Sequence, residues 1–181
     1  IDPDVWFTLR YQGWRQAANL WRSPVYGLQG PRIDLIPHQL FIAAEVSARR
    51  MVRVLLADEV GLGKTIEAGL IMHRLILTER VQRVLIVVPD ALVNQWLVEM
   101  LRRFNLAFAV FDDVRFAGGD RGNPFLDEQR VLCSLSFLTS DGAVARAVVQ
   151  GEWDLLVVDE AHHLTWSEQD TGLAYQLVEA L

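Results

Sequence analysis

The sequence predicts a three-layer α/β domain, a mainly parallel sheet covered by helices on both faces, preceded by an N-terminal helical extension. Three observations predict it. Apolar runs of strand length alternate with longer segments of helical period along most of the 181 residues, the pattern of strands joined by crossover helices. The strand-like runs are continuously apolar, as strands buried on both faces are. A glycine-rich segment at residues 58–65 joins one such run to a helical segment, and a loop of that kind at a helix N-terminus is a natural anion site.

Each element follows in order. Residues 4–22 have helical period, with Trp6, Trp14 and Trp21 near one face and Ala17 and Ala18 between them. That face is expected to pack; base stacking is the alternative. Pro24, Gly27, Gly30 and Pro31 mark a linker. Pro37 reads as the first residue of a second helix ending near Arg50. Residues 53–57 form a short apolar run leading into the glycine loop, and are expected as a strand. Residues 64–77 are helical. Residues 83–88 are a strand stopped by Pro89, residues 92–104 an amphipathic helix, and residues 107–111 another strand. Residues 112–129 are polar and rich in glycine, so they are expected as a surface loop with Asp112 and Asp113 solvated. Strands at 130–135 and 154–159 bracket a helix near 137–150, and a last helix starts at about Gly172. No internal repeat or low-complexity tract is visible.

Composition narrows the classes. Apolar residues make up 51% of the chain, yet the longest apolar runs, 84–88 and 155–158, are far too short to span a membrane. The start, Ile1-Asp2-Pro3-Asp4, shows no secretory signal. It also lacks an initiator Met, so a piece excised from a longer chain is expected. The one cysteine, Cys133, leaves no internal disulfide framework and suits a reducing, cytoplasmic setting. Its strand-like surroundings favour a buried thiol over a nucleophile. The net charge of −6 argues against a polyanion-binding domain when taken alone. A locally basic groove, or one completed by a second domain, meets the same number.

The chemistry concentrates in two segments. The chain has a single lysine, Lys64, and it lies in Asp58-Glu59-Val60-Gly61-Leu62-Gly63-Lys64-Thr65. A phosphate-binding loop puts its lysine there, a compact ammonium against the β- and γ-phosphates of a nucleotide. Gly61 and Gly63 let the backbone approach those phosphates, and the Thr65 hydroxyl is placed for Mg2+. Asp58 stands where the generic pattern has its first glycine. The second segment is Asp154-Leu155-Leu156-Val157-Val158-Asp159-Glu160-Ala161-His162. An apolar strand delivers two adjacent carboxylates at its C-terminal end, the edge at which parallel sheets bind ligands. Asp159 would hold Mg2+, and Glu160 would orient and deprotonate the attacking water. His162 and His163 are adjacent, so their side chains are expected to diverge; with no HExxH spacing, zinc is disfavoured. The missing second lysine rules out the Asn/Thr-Lys-x-Asp signature that reads guanine, so adenine is favoured. Gln39, just after Pro37-His38, has the amide that pairs with adenine; a helix-surface role is its alternative.

Asp-Glu-x-Gly-Leu-Gly-Lys-Thr followed by Asp-Glu-Ala-His is similar to the Swi/Snf-type ATPases of helicase superfamily two. In that family Asp58 in place of glycine is normal. The resemblance implies a RecA-like lobe that binds ATP and Mg2+, through a loop running from Asp58, Glu59, Val60, Gly61 and Leu62 to Gly63, Lys64 and Thr65. Gln39 matches its Q motif, and Asp159, Glu160, Ala161 and His162 its DEAH box. It implies catalytic roles for Lys64, Asp159 and Glu160. Pro89, Gln95 and Trp96 resemble motif Ia and Ser134 lies at motif Ib, which implies nucleic-acid contacts there. Arg102 and Arg103 are further candidates, with a solvated helix face as the alternative.

Three longer stretches around residues 56–69, 95–106 and 152–164 are similar to the RNA polymerase-associated bacterial branch of the family. That likeness implies a monomeric, nucleoid-associated cytoplasmic translocase on double-stranded DNA, with RNA as the alternative. It also implies binding to core RNA polymerase, which the ATPase recycles during transcription. The expected division is residues 1–36 as helical extension and linker and 37–181 as the ATP-binding lobe, ending before motif III and the second lobe. With no second-lobe arginine finger, worth ~10³–10⁵ in rate, the lobe alone is expected to bind ATP weakly and hydrolyse it very slowly. The competing reading is a nucleotide-gated docking module that meets a partner through the tryptophan-bearing helix or residues 112–129.

Overall fold

The computed structural model describes residues 3–23, 25–28, 30–34, 36–57, 63–118, 122–167 and 171–181. Its strands are β1 (Val84–Val88), β2 (Ala109–Phe111), β3 (Arg130–Ser134) and β4 (Leu155–Val158). They form one parallel sheet in the order β2-β3-β1-β4. Val84 stands beside Arg130 on one side and Leu155 on the other. All four C-terminal ends therefore share one edge. The helices are α1 (Asp4–Trp21), α2 (Pro37–Ala48), α3 (Lys64–Leu77), α4 (Val93–Phe104), α5 (Asp113–Ala117), α6 (Leu135–Ser140), α7 (Gly142–Val149) and α8 (Leu173–Ala180).

The period of two along β1 divides the core. Val84, Ile86 and Val88 face Leu70, Met72 and Leu75 of α3, Met100 and Phe104 of α4, and Ala43 and Val46 of α2. Leu85 and Val87 face the opposite way, towards Phe137 and Leu138 of α6, Val144 and Val148 of α7, and Leu177 of α8. Successive side chains of a strand point to opposite faces, so a wholly apolar strand requires both layers. Each large side chain buried there contributes about 1.5–3 kcal/mol. α3 and α4 approach closely at Gly69, where a Cβ would overlap the Phe104 ring.

Several expectations change. Residues 53–57 form no strand, and Arg53, Val54 and Leu55 are exposed. They join no ladder, and the outer side of β4 has no hydrogen-bonded strand neighbour among the described residues. Apolar composition makes a segment fit for a ladder; only a partner makes the ladder. The helix expected near 137–150 is two helices. Ser134 caps α6 by accepting from the Phe137 N–H, and Asp141 breaks the path and caps α7 by accepting from the Ala143 N–H. Residues 112–129 are not all surface loop: Asp112 caps α5, and Phe125 is completely buried against Phe111. The expected linker partly joins the core, since Leu28 is buried and His73 Nδ1 lies 2.6 Å from the Gly27 carbonyl oxygen. Pro24 lies outside the described residues.

α1 forms as expected, but its tryptophans do not pack. Trp6, Trp14 and Trp21 are 61–72% exposed, and the helix has no buried residue. Cys133 is fully buried, and burial pushes its thiol well above the usual range. No helix among the described residues is long and apolar enough to cross a membrane.

Candidate nucleotide site

The first half of the site is the start of α3. Gly63 has φ 90 and ψ 36, a left-handed conformation suited to glycine. Its carbonyl accepts from the N–H groups of Ile66 (2.8 Å) and Glu67 (3.1 Å) and so opens the helix. Lys64 and Thr65 are the first helical residues, and their amides precede the first intrahelical bonds, as donors at an anion site do. Pro37 starts α2, which places Gln39 in its first turn. Gln39 is buried against the glycine: a Cβ on Gly63 would lie 2.5 Å from Gln39 Nε2. The alternative of Gln39 as a helix-surface residue therefore falls. One turn into α3, Glu67 is fully buried, with Oε1 3.8 Å from His38 Nε2. Asp58, Glu59, Val60, Gly61 and Leu62 lie outside the described residues.

The second half is the end of β4. The Asp159 N–H donates to the Val87 carbonyl (2.9 Å), carrying the ladder one residue further. Asp159 Oδ1 accepts from the Glu160 N–H, and Oδ2 from the Trp96 indole Nε1–H, both at 2.8 Å. Glu160 then turns left-handed, φ 50 and ψ 42, and stands exposed. A non-glycine residue there carries about 1–2 kcal/mol of strain, of the kind found at functional sites.

The His162 and His163 side chains do not diverge. The left-handed turn at Glu160 leads into a single 3-10 turn, Ala161–His163, which sets the rings 4.2 Å apart. His162 Nδ1 lies 3.1 Å from Glu160 Oε2. The donor atoms of Glu160, His162 and His163 lie within 4.8 Å of one another. All three side chains are exposed.

Mg2+ fits donors elsewhere in the site. It takes hard oxygen ligands, and the Thr65 hydroxyl and the Asp159 carboxylate are oxygens of that kind that could hold it. Each Asp159 carboxylate oxygen has one hydrogen bond and keeps a lone pair for the metal or its water.

The candidate nucleic-acid residues scatter. Pro89 is half-buried at the end of β1, and Gln95 is exposed on α4. Trp96 is 3% exposed, so it is a core residue and does not meet a nucleic acid. Parallel strands β1 and β2 make α4 run back along the sheet, so Arg102 and Arg103 lie at its far end, a helix length of about 18 Å from its start. Arg103 is paired with Glu99, and its carbonyl accepts from the Arg32 N–H. Ser134 is buried and its hydroxyl caps α6. Sequence reasoning placed Ser136 within the motif Ib segment, residues 134–137, but missed Asp90. The Ser136 hydroxyl lies 2.5 and 2.6 Å from the Asp90 carboxylate oxygens. The Ser136 and Ser134 hydroxyls hold Asp90 below the usual carboxylate range. Serine at two alternate positions, 134 and 136, was the available signal.

A parallel three-layer lobe with these two half-sites defines a class, and comparison gives it a name. The SNF2-related domain matches residues 6–177; the chain belongs to that family. It is similar to the RNA polymerase-associated protein RapA of Sodalis glossinidius (strain morsitans), 56% identical over the whole chain. The chain spans 19% of that relative's length. Its fold matches the Sulfolobus solfataricus SWI2/SNF2 ATPase core in complex with dsDNA, at TM-score 0.68 and 22% identity, covering 83% of this chain and 30% of that one.

Proposed function

We propose that this chain is the ATP-binding lobe of a Swi/Snf-type translocase that moves on double-stranded DNA and, within a longer cytoplasmic protein, acts on RNA polymerase during transcription. The observation that carries the reading is Gln39 seated against Gly63 where Lys64 and Thr65 open α3. An amide able to read adenine and a helix start able to bind phosphate thus stand side by side. The polymerase link rests on the 56% likeness to RapA. The DNA link rests on family membership and on the dsDNA held by the Sulfolobus solfataricus core.

In this reading the α3 amides and Lys64 bind the phosphates, and Gln39 holds the base. Thr65 and Asp159 hold Mg2+, which neutralises phosphate charge. Glu160 takes the proton of the attacking water. Nucleic acid meets the sheet edge near Pro89 and Gln95.

The bare aromatic α1 favours a second reading, a nucleotide-gated docking module. Glu160→Gln in the full-length protein separates the two. A motor loses hydrolysis by ~10²-fold or more while still binding ATP. Hydrolysis at the wild-type rate would sink the motor reading of this site.

A further inference from the structure

We infer that Trp96 is a positioning residue for the metal ligand Asp159: its indole N–H fixes the carboxylate that faces Mg2+ and ties that carboxylate to α4. The inference deepens the proposed function and rests on Asp159 being the metal ligand.

The geometry is specific. Trp96 is buried, and its one polar atom has a short bond, 2.8 Å to Asp159 Oδ2. Asp159 is held from two directions, by the backbone N–H of Glu160 on Oδ1 and by this indole on Oδ2. The Glu160 bond comes from the next residue in the chain and moves with the turn. The indole comes from a different element, packed into the core beside Met100 and Phe104. It is therefore the contact that refers the carboxylate to the body of the lobe. A buried indole N–H without a partner is costly, so the bond also resists displacement. Partners behind a metal ligand typically change metal affinity 10–100-fold when removed.

The neighbouring residue extends the consequence. Gln95 precedes Trp96 and is exposed on α4, while Trp96 points inward. A shift of α4 caused by anything bound at Gln95 is felt directly at Asp159. The indole also explains why a residue with the motif's spacing is buried rather than presented to a nucleic acid.

The test is Trp96→Phe in the 181-residue chain, which keeps most of the ring's packing and removes the N–H donor. Calorimetry with ATP, with and without Mg2+, gives the gain in affinity that Mg2+ confers. The expected result is that this gain falls about tenfold or more, with metal-free binding and the melting temperature little changed. An equal loss in both conditions makes Trp96 merely structural and overturns the inference, as does an unchanged Mg2+ gain.

A second readout needs no nucleotide. The Trp96 indole resonance, assigned as the one missing in Trp96→Phe, is expected to move in Asp159→Ala and to stay in place in Glu160→Ala. A resonance indifferent to Asp159→Ala removes the contact. Absence of Mg2+-dependent ATP binding both in the wild-type chain and in the full-length protein that restores the second lobe defeats the site reading, and this inference with it. Wild-type binding with an unaffected Trp96→Phe defeats this inference alone.

Discussion

Lys64 and Asp159, the two charged groups expected to meet a nucleotide's phosphates and metal, are held by opposite means. Lys64 opens a helix whose following turns are locked in the core by Leu70, Met72 and Leu75. Its approach is set by a left-handed glycine with a buried amide against it. Asp159 ends a half-buried edge strand, bounded by a strained turn and an exposed Glu160. One indole connects its side chain to the core. The difference teaches that the start of α3 is fixed by packing, whereas the Asp159 carboxylate is held by few contacts; in the proposed reading Asp159 is the group able to respond to what binds.

The largest way to break that contrast is Asp159→Ala in the full-length protein. Losing a preorganised electrostatic contact costs about 3–4 kcal/mol in the transition state, so ATP hydrolysis is expected to fall by about 10²–10³, with a smaller loss of stability, about 1–3 kcal/mol, from the Trp96 indole N–H left without its partner. A rate close to wild type contradicts the metal role.

Next comes Gly63→Ala, aimed at the preformed side. A side chain in the left-handed region costs about 1–2 kcal/mol, and its Cβ would press on the Gln39 amide. Lower melting temperature together with weaker nucleotide binding is expected. Loss of stability with normal binding would show that the Gln39 contact is irrelevant to the pocket.

A smaller effect is expected at the other end of β4. Asp154 accepts N–H bonds from Gln82 and Arg83, both at 2.8 Å, and stitches the start of β4 to that of β1. Those bonds hold its carboxyl below the usual range. A lowered folded-state pKa contributes stability above the unfolded value near 4, and that contribution is lost as pH falls through the folded value. Asp154→Ala is expected to cost about 1 kcal/mol at neutral pH, kept small by exposure. It should also flatten the acid limb of stability, which denaturation between about pH 2 and 6 would show. An unchanged acid limb would deny Asp154 this role.

The smallest effect belongs to Ser136→Ala. Removing that hydroxyl should let Asp90 titrate nearer the ordinary carboxylate range, visible by NMR with little change in stability. An Asp90 titration identical to wild type would exclude the contact.

How much of this was legible in the sequence follows from the same contrast. β1, β4, α3 and α4 were legible because their apolar patterns match the layers that bury them. Gly63, Lys64 and Thr65 were legible as a helix start because a left-handed glycine opens α3 there. Residues 53–57 misled because composition records fitness for a ladder and not the presence of a neighbour. The tryptophans of α1 misled for the same reason: spacing defines a face, not what covers it. Trp96 was found as part of a motif, but its burial and its bond to Asp159 depend on tertiary packing that no local pattern encodes. The split of α6 from α7 had a signal, a capping aspartate followed by glycine at Asp141 and Gly142, that helical periodicity obscured.

The most direct test of the central claim is titration of Mg-ATP and Mg-GTP into the 181-residue chain, beside Lys64→Ala and Gln39→Ala. ATP is expected to bind more tightly than GTP, Lys64→Ala to abolish binding of both, and Gln39→Ala to erase the preference for adenine. Equal binding of the two nucleotides, or ATP binding that survives Lys64→Ala, would contradict the claim.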